Sequence, residues 1–114
     1  MRRVFIMDDN ALVLQLYTDL LKSLGCEVQN CSNSLTAIDL AKEFQPDIAF
    51  LDITMPNESG LSIGRRLRAI LADIPIFALT AMSPDLIEDQ LAEAGFTGLL
   101  RKPYSINEIK ELLQ

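Results

Sequence analysis

The chain has 114 residues, of which 49% are hydrophobic and 23% are charged, and its formal net charge is −6 with a sequence pI near 4.5. This length suits one compact domain over residues 1–114, and the composition excludes disordered, collagen-like and low-complexity chains. The acidic balance argues against direct nucleic-acid binding, and no apolar run approaches the ~20 residues of a membrane-spanning helix, so we expect a cytoplasmic protein without membrane contact.

Short strand-like runs alternate with helical patterns along the whole chain. The strands are predicted at residues 4–7, 27–31, 48–51, 74–79 and 98–101. The helices follow them in turn and are predicted at residues 11–24, 35–44, 61–71, 84–94 and 105–114. Residues 48–51 are continuously apolar, as in a parallel strand that helices cover on both faces. The alternation therefore favours a doubly wound α/β domain, in which a five-stranded parallel sheet has helices on both faces.

Capping signals support the bounds of several predicted helices. Leucine stands at every fourth position of residues 12–24 in the first helix, and Gly25 after them suits a C′ position. Ser83-Pro84 is typical of an N-cap followed by the first helical residue. Ser105 and Glu108 have the spacing of a capping box, which places the start of the last helix.

Four of the five predicted strands end in side chains that can take part in phosphoryl chemistry. These side chains are Asp8 and Asp9, Asp52, Thr80, and Lys102. Because the carboxyl ends of parallel strands lie at one edge of the sheet, we expect them to meet there. Polar residues often end strands, so each one alone has an ordinary structural explanation. Together, however, their chemical types are complementary, which favours a functional site.

Three carboxylates in one crevice predict a metal ion, because they repel one another unless a cation neutralises them. Histidine is absent from the chain and the expected ligands are oxygens, so a hard ion such as Mg²⁺ or Mn²⁺ is expected rather than a Ca²⁺ cage. A carboxylate that attacks phosphorus forms an acyl phosphate, and the metal, Lys102 and the Thr80 hydroxyl could stabilise the developing charge. A phosphoryl group carried on phosphohistidine must come from another chain.

Four motifs hold these side chains, and their order and spacing can be compared with known families. The motifs are Asp8-Asp9, the run Leu-Asp-Ile-Thr-Met-Pro at residues 51–56 with Gly60 beyond it, Thr80-Ala81, and Lys102-Pro103. In this combination they resemble the signature of response-regulator receiver domains, over almost the whole chain. The resemblance implies the flavodoxin-like (βα)5 fold, with strand order 2-1-3-4-5.

The resemblance also implies a role for each acidic residue. Asp52 would be the phosphoacceptor. Asp9, Asp52 and the backbone carbonyl of Thr54 would bind Mg²⁺, and Asp8 would act mainly through coordinated water. No further cofactor is implied.

Thr80 and Lys102 would contact the phosphoryl group, and the peptide bond between Lys102 and Pro103 would be cis. The donor in the family is a phosphohistidine on a sensor histidine kinase or a histidine phosphotransfer domain. The receiver in turn controls an output domain or protein by changing its conformation. We therefore expect a signalling domain that catalyses only its own phosphorylation and slow dephosphorylation, rather than an enzyme that turns over a substrate.

Three positions bear on how the phosphorylated state behaves. Leu99 stands three residues before the lysine, where receivers usually carry Tyr or Phe, whose ring swings inward as the threonine moves. Without that ring, we expect weak coupling between phosphorylation and the surface of the fourth helix and fifth strand. Thr54 and Met82 lie two residues beyond Asp52 and Thr80, at positions that tune phosphoryl lifetime in the family. Neither is an acid or amide that would orient an attacking water, so slow to moderate self-dephosphorylation is expected.

Two other classes of function stay open from the sequence. A small phosphatase of the haloacid dehalogenase type would also use an Asp nucleophile, Mg²⁺, a hydroxyl and a lysine. Such enzymes carry a second Asp two residues after the nucleophile, where this chain has Thr54, and they are usually longer. A phosphate-independent, receiver-like interaction module is the second alternative, although the complete set of site residues argues against it. The last helix lacks an obvious terminal cap, which is compatible with a domain taken from a longer regulator or hybrid kinase.

Overall fold

The computed structural model describes residues 2–114, which form one five-stranded parallel sheet and five helices in alternation. The strands are β1 (Arg3–Met7), β2 (Glu27–Cys31), β3 (Ile48–Asp52), β4 (Ile76–Thr80) and β5 (Gly98–Arg101). The helices are α1 (Ala11–Ser23), α2 (Ser34–Phe44), α3 (Gly60–Ile70), α4 (Pro84–Glu93) and α5 (Ile106–Leu113). The strand order is β2-β1-β3-β4-β5, so the expected doubly wound fold is confirmed. None of these helices is both long and apolar enough to cross a membrane.

The two faces of the sheet bury two separate clusters of apolar side chains. Because successive strand residues point to opposite faces, Phe5 and Met7 pack beneath α2, α3 and α4, whereas Val4 and Ile6 pack beneath α1 and α5. Strand β3 is buried along its whole length, which explains why residues 48–51 are continuously apolar. A one-residue slip would exchange the two faces, so this alternation fixes the register of each strand in the sheet.

The order of strand addition reverses between β1 and β3. Strand β2 lies on one side of β1, and the chain then crosses to place β3 on the other side. The register pairs Met7 with Leu51, so the residues that follow them, Asp8 and Asp52, are neighbours at the carboxyl edge. Crevices at such a reversal are where open α/β sheets bind ligands.

The first predicted helix is confirmed as α1, but several of the leucines that indicated it lie outside the core. Leu12 is 85% exposed and Leu16 is 54% exposed. The helix instead buries Leu14, Thr18 and Leu21. The Thr18 hydroxyl donates to the Leu14 carbonyl at 2.7 Å, so this polar residue is buried with its donor satisfied.

The fourth strand and the fourth helix differ slightly from the prediction. Strand β4 begins at Ile76, two residues later than expected, because Pro75 has no amide hydrogen to give to the sheet. The Pro75 carbonyl still accepts a hydrogen bond from the Ala49 amide at 3.0 Å. Ser83 is the N-cap residue of α4 and Pro84 its first residue, but the Ser83 side chain makes no capping hydrogen bond.

Candidate functional site

Three carboxylates meet at the carboxyl edge of the sheet, at the ends of β1 and β3. One oxygen from each of Asp8, Asp9 and Asp52 lies within 4.8 Å of the others. Asp8 and Asp52 are almost fully buried, with 1% and 3% of their surfaces exposed, whereas Asp9 is exposed to solvent. The structure thus brings together the three acids that the sequence predicted to meet.

The backbone around the end of β1 fixes the Asp8 side chain. Its amide donates to the Cys31 carbonyl at 3.1 Å, and its Oδ1 accepts a hydrogen bond from the Asn10 amide at 2.9 Å. Asn10 in turn caps α1, because its side-chain oxygen accepts hydrogen bonds from two amides of the first turn. The other oxygen, Oδ2, is buried without a hydrogen-bond partner in residues 2–114, and Lys102 Nζ lies 3.5 Å from it. An unpaired buried carboxylate oxygen is unfavourable unless a ligand satisfies it.

Asp52, at the end of β3, is held through both side-chain oxygens. Its Oδ1 accepts a hydrogen bond from the Thr54 amide and its Oδ2 accepts one from Lys102 Nζ, both at 3.0 Å. The chain then folds back on the strand end, and the Gly60 amide donates to the Ile53 carbonyl at 2.9 Å. A Cβ atom at Gly60 would lie 2.1 Å from the Asp52 carbonyl oxygen, so only glycine permits this approach.

The electrostatics of the pocket are dominated by negative charge. Burial raises the pKa of Asp52 above its ordinary value, and the hydrogen bond and charge of Lys102 offset only part of that effect. Burial alone would lower the pKa of Lys102, but its contacts with Asp52 and Asp8 outweigh burial and raise it. Three carboxylates therefore face one ammonium group, and the excess negative charge favours a bound cation.

Thr80 and Lys102 complete the edge at the ends of β4 and β5. The Thr80 side chain is 2% exposed, and its Oγ1 accepts a hydrogen bond from the Met82 amide at 3.0 Å. The Lys102 amide donates to the Thr80 carbonyl at 2.7 Å, which ties the two strand ends together. The peptide bond between Lys102 and Pro103 is cis, as the resemblance implied. A threonine hydroxyl held in this way can still donate its own hydrogen to a ligand.

Thr54 and Met82 contact the site through their backbone amides, and among the described residues neither their side chains nor that of Leu99 makes a hydrogen bond to it. The side chains of Thr54 and Met82 are exposed. Leu99 pairs with Ala78 in the sheet and is partly buried against the apolar cluster beneath α2, α3 and α4. Leu99 thus places an aliphatic side chain at the position where receivers usually carry Tyr or Phe.

A pair of tyrosines beside the site was not predicted from the sequence. The Tyr17 hydroxyl donates to the Tyr104 carbonyl at 2.8 Å, and the two ring centroids are 4.8 Å apart. The Tyr104 hydroxyl is buried and has no hydrogen-bond partner in the described part of the chain. Burial, with the nearby charges of Asp8 and Asp52, raises the pKa of Tyr104. No local signal links the two tyrosines, because their contact depends on how α1 packs beside the loop after β5.

A pocket of about 630 Å³ opens beside the carboxylates. Its lining includes Asp8, Asp9 and Lys102, together with the apolar residues Val13 and Leu16 of α1. All the candidate metal ligands are oxygens, and Oδ2 of Asp8 has no hydrogen bond within residues 2–114. This donor set fits Mg²⁺ or a similar hard cation that keeps several of its waters.

Known proteins match the chain over nearly its full length. Residues 4–114 match the family model for the response regulator receiver domain. The polar-differentiation response regulator DivK of Brucella anthropi is 33% identical over 115 residues, which cover 99% of this chain and 94% of that protein. DivK of Brucella ovis is 32% identical with the same coverage.

Solved structures share the fold and part of the sequence. The chemotaxis protein CheY4 of Vibrio cholerae has a TM-score of 0.94 and 25% identity, over 100% of this chain and 97% of that chain. The receiver domain of the sensor histidine kinase PA1611 of Pseudomonas aeruginosa has a TM-score of 0.88 and 27% identity, over 99% and 94%. That structure holds a magnesium ion in its active site cleft. These matches favour neither the phosphatase nor the phosphate-independent module, and this chain belongs to the response regulator receiver domains of two-component signalling.

Proposed function

We propose that this chain acts as one receiver domain over residues 1–114, whose Asp52 accepts a phosphoryl group in a Mg²⁺-dependent reaction. One observation carries the proposal: the buried Asp52 carboxylate accepts a hydrogen bond from Lys102 at 3.0 Å, and oxygens of Asp8 and Asp9 lie within 4.8 Å of it. The donor is a phosphohistidine on a sensor histidine kinase or a histidine phosphotransfer domain. A donor on another protein agrees with the absence of histidine from this chain.

In this proposal Asp52 is the nucleophile. One of its carboxylate oxygens forms a bond to phosphorus while the bond from phosphorus to the donor imidazole nitrogen breaks, and that electron pair stays on the imidazole. Lys102, already 3.0 Å from Asp52 Oδ2, is placed to pair with a phosphoryl oxygen, and the Thr80 hydroxyl donates to another. The product is an acyl phosphate on Asp52.

Asp9, Asp52 and the backbone carbonyl of Thr54 would hold the cation directly, and Asp8 would act mainly through coordinated water. When bound, Mg²⁺ neutralises charge on the carboxylates and the phosphoryl oxygens. The excess of negative charge in the pocket supports this set of residues, as does Oδ2 of Asp8, which is buried without a hydrogen bond in the described part of the chain.

The acyl phosphate acts as a switch that an output domain or protein reads. Phosphorylation adds about 1.5 to 2 negative charges in one pocket, which shifts a conformational equilibrium rather than releasing a product. The domain therefore catalyses only its own phosphorylation and its slow dephosphorylation. Neither Thr54 nor Met82 carries a side-chain carboxylate or amide that could orient a hydrolytic water, which supports slow to moderate self-dephosphorylation.

Intact mass measurement after incubation with acetyl phosphate and Mg²⁺ tests this function. We expect a gain of one phosphoryl group, which disappears in an Asp52→Asn variant and in the presence of a chelator. Asp39→Asn is the matched control, because Asp39 is an exposed acid on α2, and this variant should gain the group like the wild type. A gain that persists in Asp52→Asn would contradict the proposal, whereas no gain in the folded wild type with Mg²⁺ bound would indicate a receiver that accepts phosphate only from a protein donor. Loss of Mg²⁺ binding as well would favour the phosphate-independent interaction module.

A further inference from the structure

One buried hydroxyl group ties the loop after β3, residues 53–59, to helix α2. Ser34 is the first residue of α2, and only 2% of its surface is exposed. Its Oγ donates to the Pro56 carbonyl at 2.7 Å and accepts a hydrogen bond from the Glu58 amide at 3.2 Å. A single side chain therefore joins two points of this loop to a helix that lies more than twenty residues earlier in the chain.

The conformation of the loop shows why such a tie matters. Asn57, between the two bonded residues, has a φ of 72°, in the left-handed region that residues other than glycine rarely adopt. On its other side, the Glu58 carboxylate accepts hydrogen bonds from Ser62 Oγ at 2.5 Å and Arg66 Nη1 at 2.6 Å, both on α3. Asparagine adopts this region more readily than most residues, and contacts to α2 and α3 on either side of it hold the loop in this shape.

The same loop carries the backbone of Thr54, which adjoins the phosphoacceptor. The Thr54 amide donates to Asp52 Oδ1 at 3.0 Å, and in the proposed function the Thr54 carbonyl is a ligand of the cation. We propose that Ser34 is a positioning residue for cation binding, because it fixes Pro56 and Glu58 and so holds the segment that presents the Thr54 carbonyl. This inference rests on the proposed function, and Ser34 acts on the ion only through the loop.

A serine suits this position because one hydroxyl can donate and accept at the same time. Alanine or glycine would leave the Pro56 carbonyl and the Glu58 amide without this shared partner, so the link between the loop and α2 would be lost. Groups that orient metal ligands from outside the coordination sphere typically change metal affinity by about 10- to 100-fold. Because Ser34 acts through intervening backbone, we expect about a tenfold effect, at the lower end of that range.

The test compares Mg²⁺ affinity and thermal stability in Ser34→Ala, Ser34→Gly and a matched control. Thr36→Val is the control, because the Thr36 hydroxyl is in the same turn of α2 but donates to the Asn33 carbonyl at 3.1 Å and not to the loop. Titration calorimetry with MgCl₂ should give a Kd about tenfold weaker in both Ser34 variants and unchanged in Thr36→Val. At low Mg²⁺ the Ser34 variants should be phosphorylated by acetyl phosphate more slowly than the wild type. At saturating Mg²⁺ their rate of phosphorylation should return to that of the wild type.

The two proposals fail in different ways. A lower Tm with an unchanged Mg²⁺ Kd, in either folded Ser34 variant, would show that Ser34 serves only stability and would overturn this inference. An equal loss of affinity in Thr36→Val would also overturn it, because the effect would then belong to α2 in general. A wild-type protein that does not bind Mg²⁺ would overturn the proposed function together with this inference.

Discussion

Asp52 carries its charge in a buried site, and this lowers the stability of the metal-free fold. Because burial raises its pKa in the folded state, the ionised carboxylate is less favourable in the folded chain than in the unfolded chain. The contribution of Asp52 to stability is therefore most favourable where Asp52 is protonated. This contribution falls as the pH rises from the ordinary pKa of 3.8 to the higher pKa of the folded state, and it stays at the lower level above that pKa.

Asp52→Asn should accordingly raise the Tm of the metal-free protein at pH 7, by a few degrees for a domain of this size. Mg²⁺ should raise the Tm of the wild type, since it binds only the folded state, and should have little effect on the variant. Thermal unfolding followed by circular dichroism, with and without Mg²⁺ and between pH 4 and pH 7, measures both effects. A variant less stable than the metal-free wild type at pH 7 would contradict this account of Asp52.

Tyr104 should tolerate the loss of its hydroxyl group. The oxygen is buried and has no partner among residues 2–114, so Tyr104→Phe removes an unsatisfied polar group and should leave stability unchanged or slightly higher. Tyr17→Phe is the control, because it removes the hydrogen bond to the Tyr104 carbonyl and should lower the free energy of unfolding by about 1 kcal/mol. Urea unfolding measures the free energy of unfolding of both variants. An equal decrease in Tyr104→Phe and Tyr17→Phe would show that the Tyr104 hydroxyl has a stabilising partner.

The strand-end residues of the site could be predicted from the sequence, because each follows a local apolar run and parallel strands end at one edge. The side chains that hold these residues in place could not be predicted from the sequence. Ser34 reaches a loop more than twenty residues later, and Tyr17 contacts the backbone of Tyr104 across the fold. Such contacts depend on how elements pack, and no local pattern encodes them.

For the elements, the sequence indicated where helices begin and end more reliably than which side they bury. In α1, leucines at helical spacing predicted the helix, yet Leu12 and Leu16 are exposed and the buried face includes Thr18. A polar residue is acceptable there because its hydroxyl donates to Leu14, a contact that helical periodicity does not reveal. Helical spacing alone fits two faces of α1, one with Leu12 and Leu16 and one with Leu14, Thr18 and Leu21. Only the packing of α1 on the sheet shows that the second face is buried.

Helix α3 contains a glycine that close packing requires. A Cβ atom at Gly64 would lie 2.2 Å from Cε1 of the Phe96 ring. Alanine is the better helix former by about 1 kcal/mol, but the overlap should outweigh that gain. We expect Gly64→Ala to lower the free energy of unfolding by about 1 to 2 kcal/mol in urea unfolding.

The matched background for that variant is Phe96→Leu, which removes the ring. In this background Gly64→Ala should be nearly neutral or stabilising, because the helix propensity of alanine is then unopposed. If Gly64→Ala lowered the free energy of unfolding equally with and without the Phe96 ring, overlap with that ring would not be the cause of the destabilisation.

At the scale of the whole molecule, alternation along the chain was enough to predict a doubly wound sheet. The strand order was implied by the family resemblance, since alternation alone does not say on which side of β1 each later strand is added. That order is what makes Asp8 and Asp52 neighbours, and it was confirmed.

Leu99 bears on how far a signal at Asp52 spreads through the molecule. It packs as an aliphatic side chain against the cluster beneath α2, α3 and α4, so this position has no aromatic ring that could change position on phosphorylation. We expect backbone amide shifts in α4 and β5, measured with and without a phosphoryl analogue, to be small in the wild type and larger in Leu99→Tyr. Wild-type shifts as large as those of receivers with an aromatic residue at this position would contradict the idea.

Asp52, and neither of the neighbouring acids, is the residue that we expect to carry the phosphoryl group. Borohydride reduces an acyl phosphate and marks the carboxyl group that held it, so reduction after treatment with acetyl phosphate and Mg²⁺, followed by peptide mass spectrometry, identifies the phosphorylated residue. We expect one reduced site, at Asp52, and none when Mg²⁺ is chelated. Reduction at Asp8 or Asp9, or none at any residue of a protein that binds Mg²⁺, would contradict this expectation.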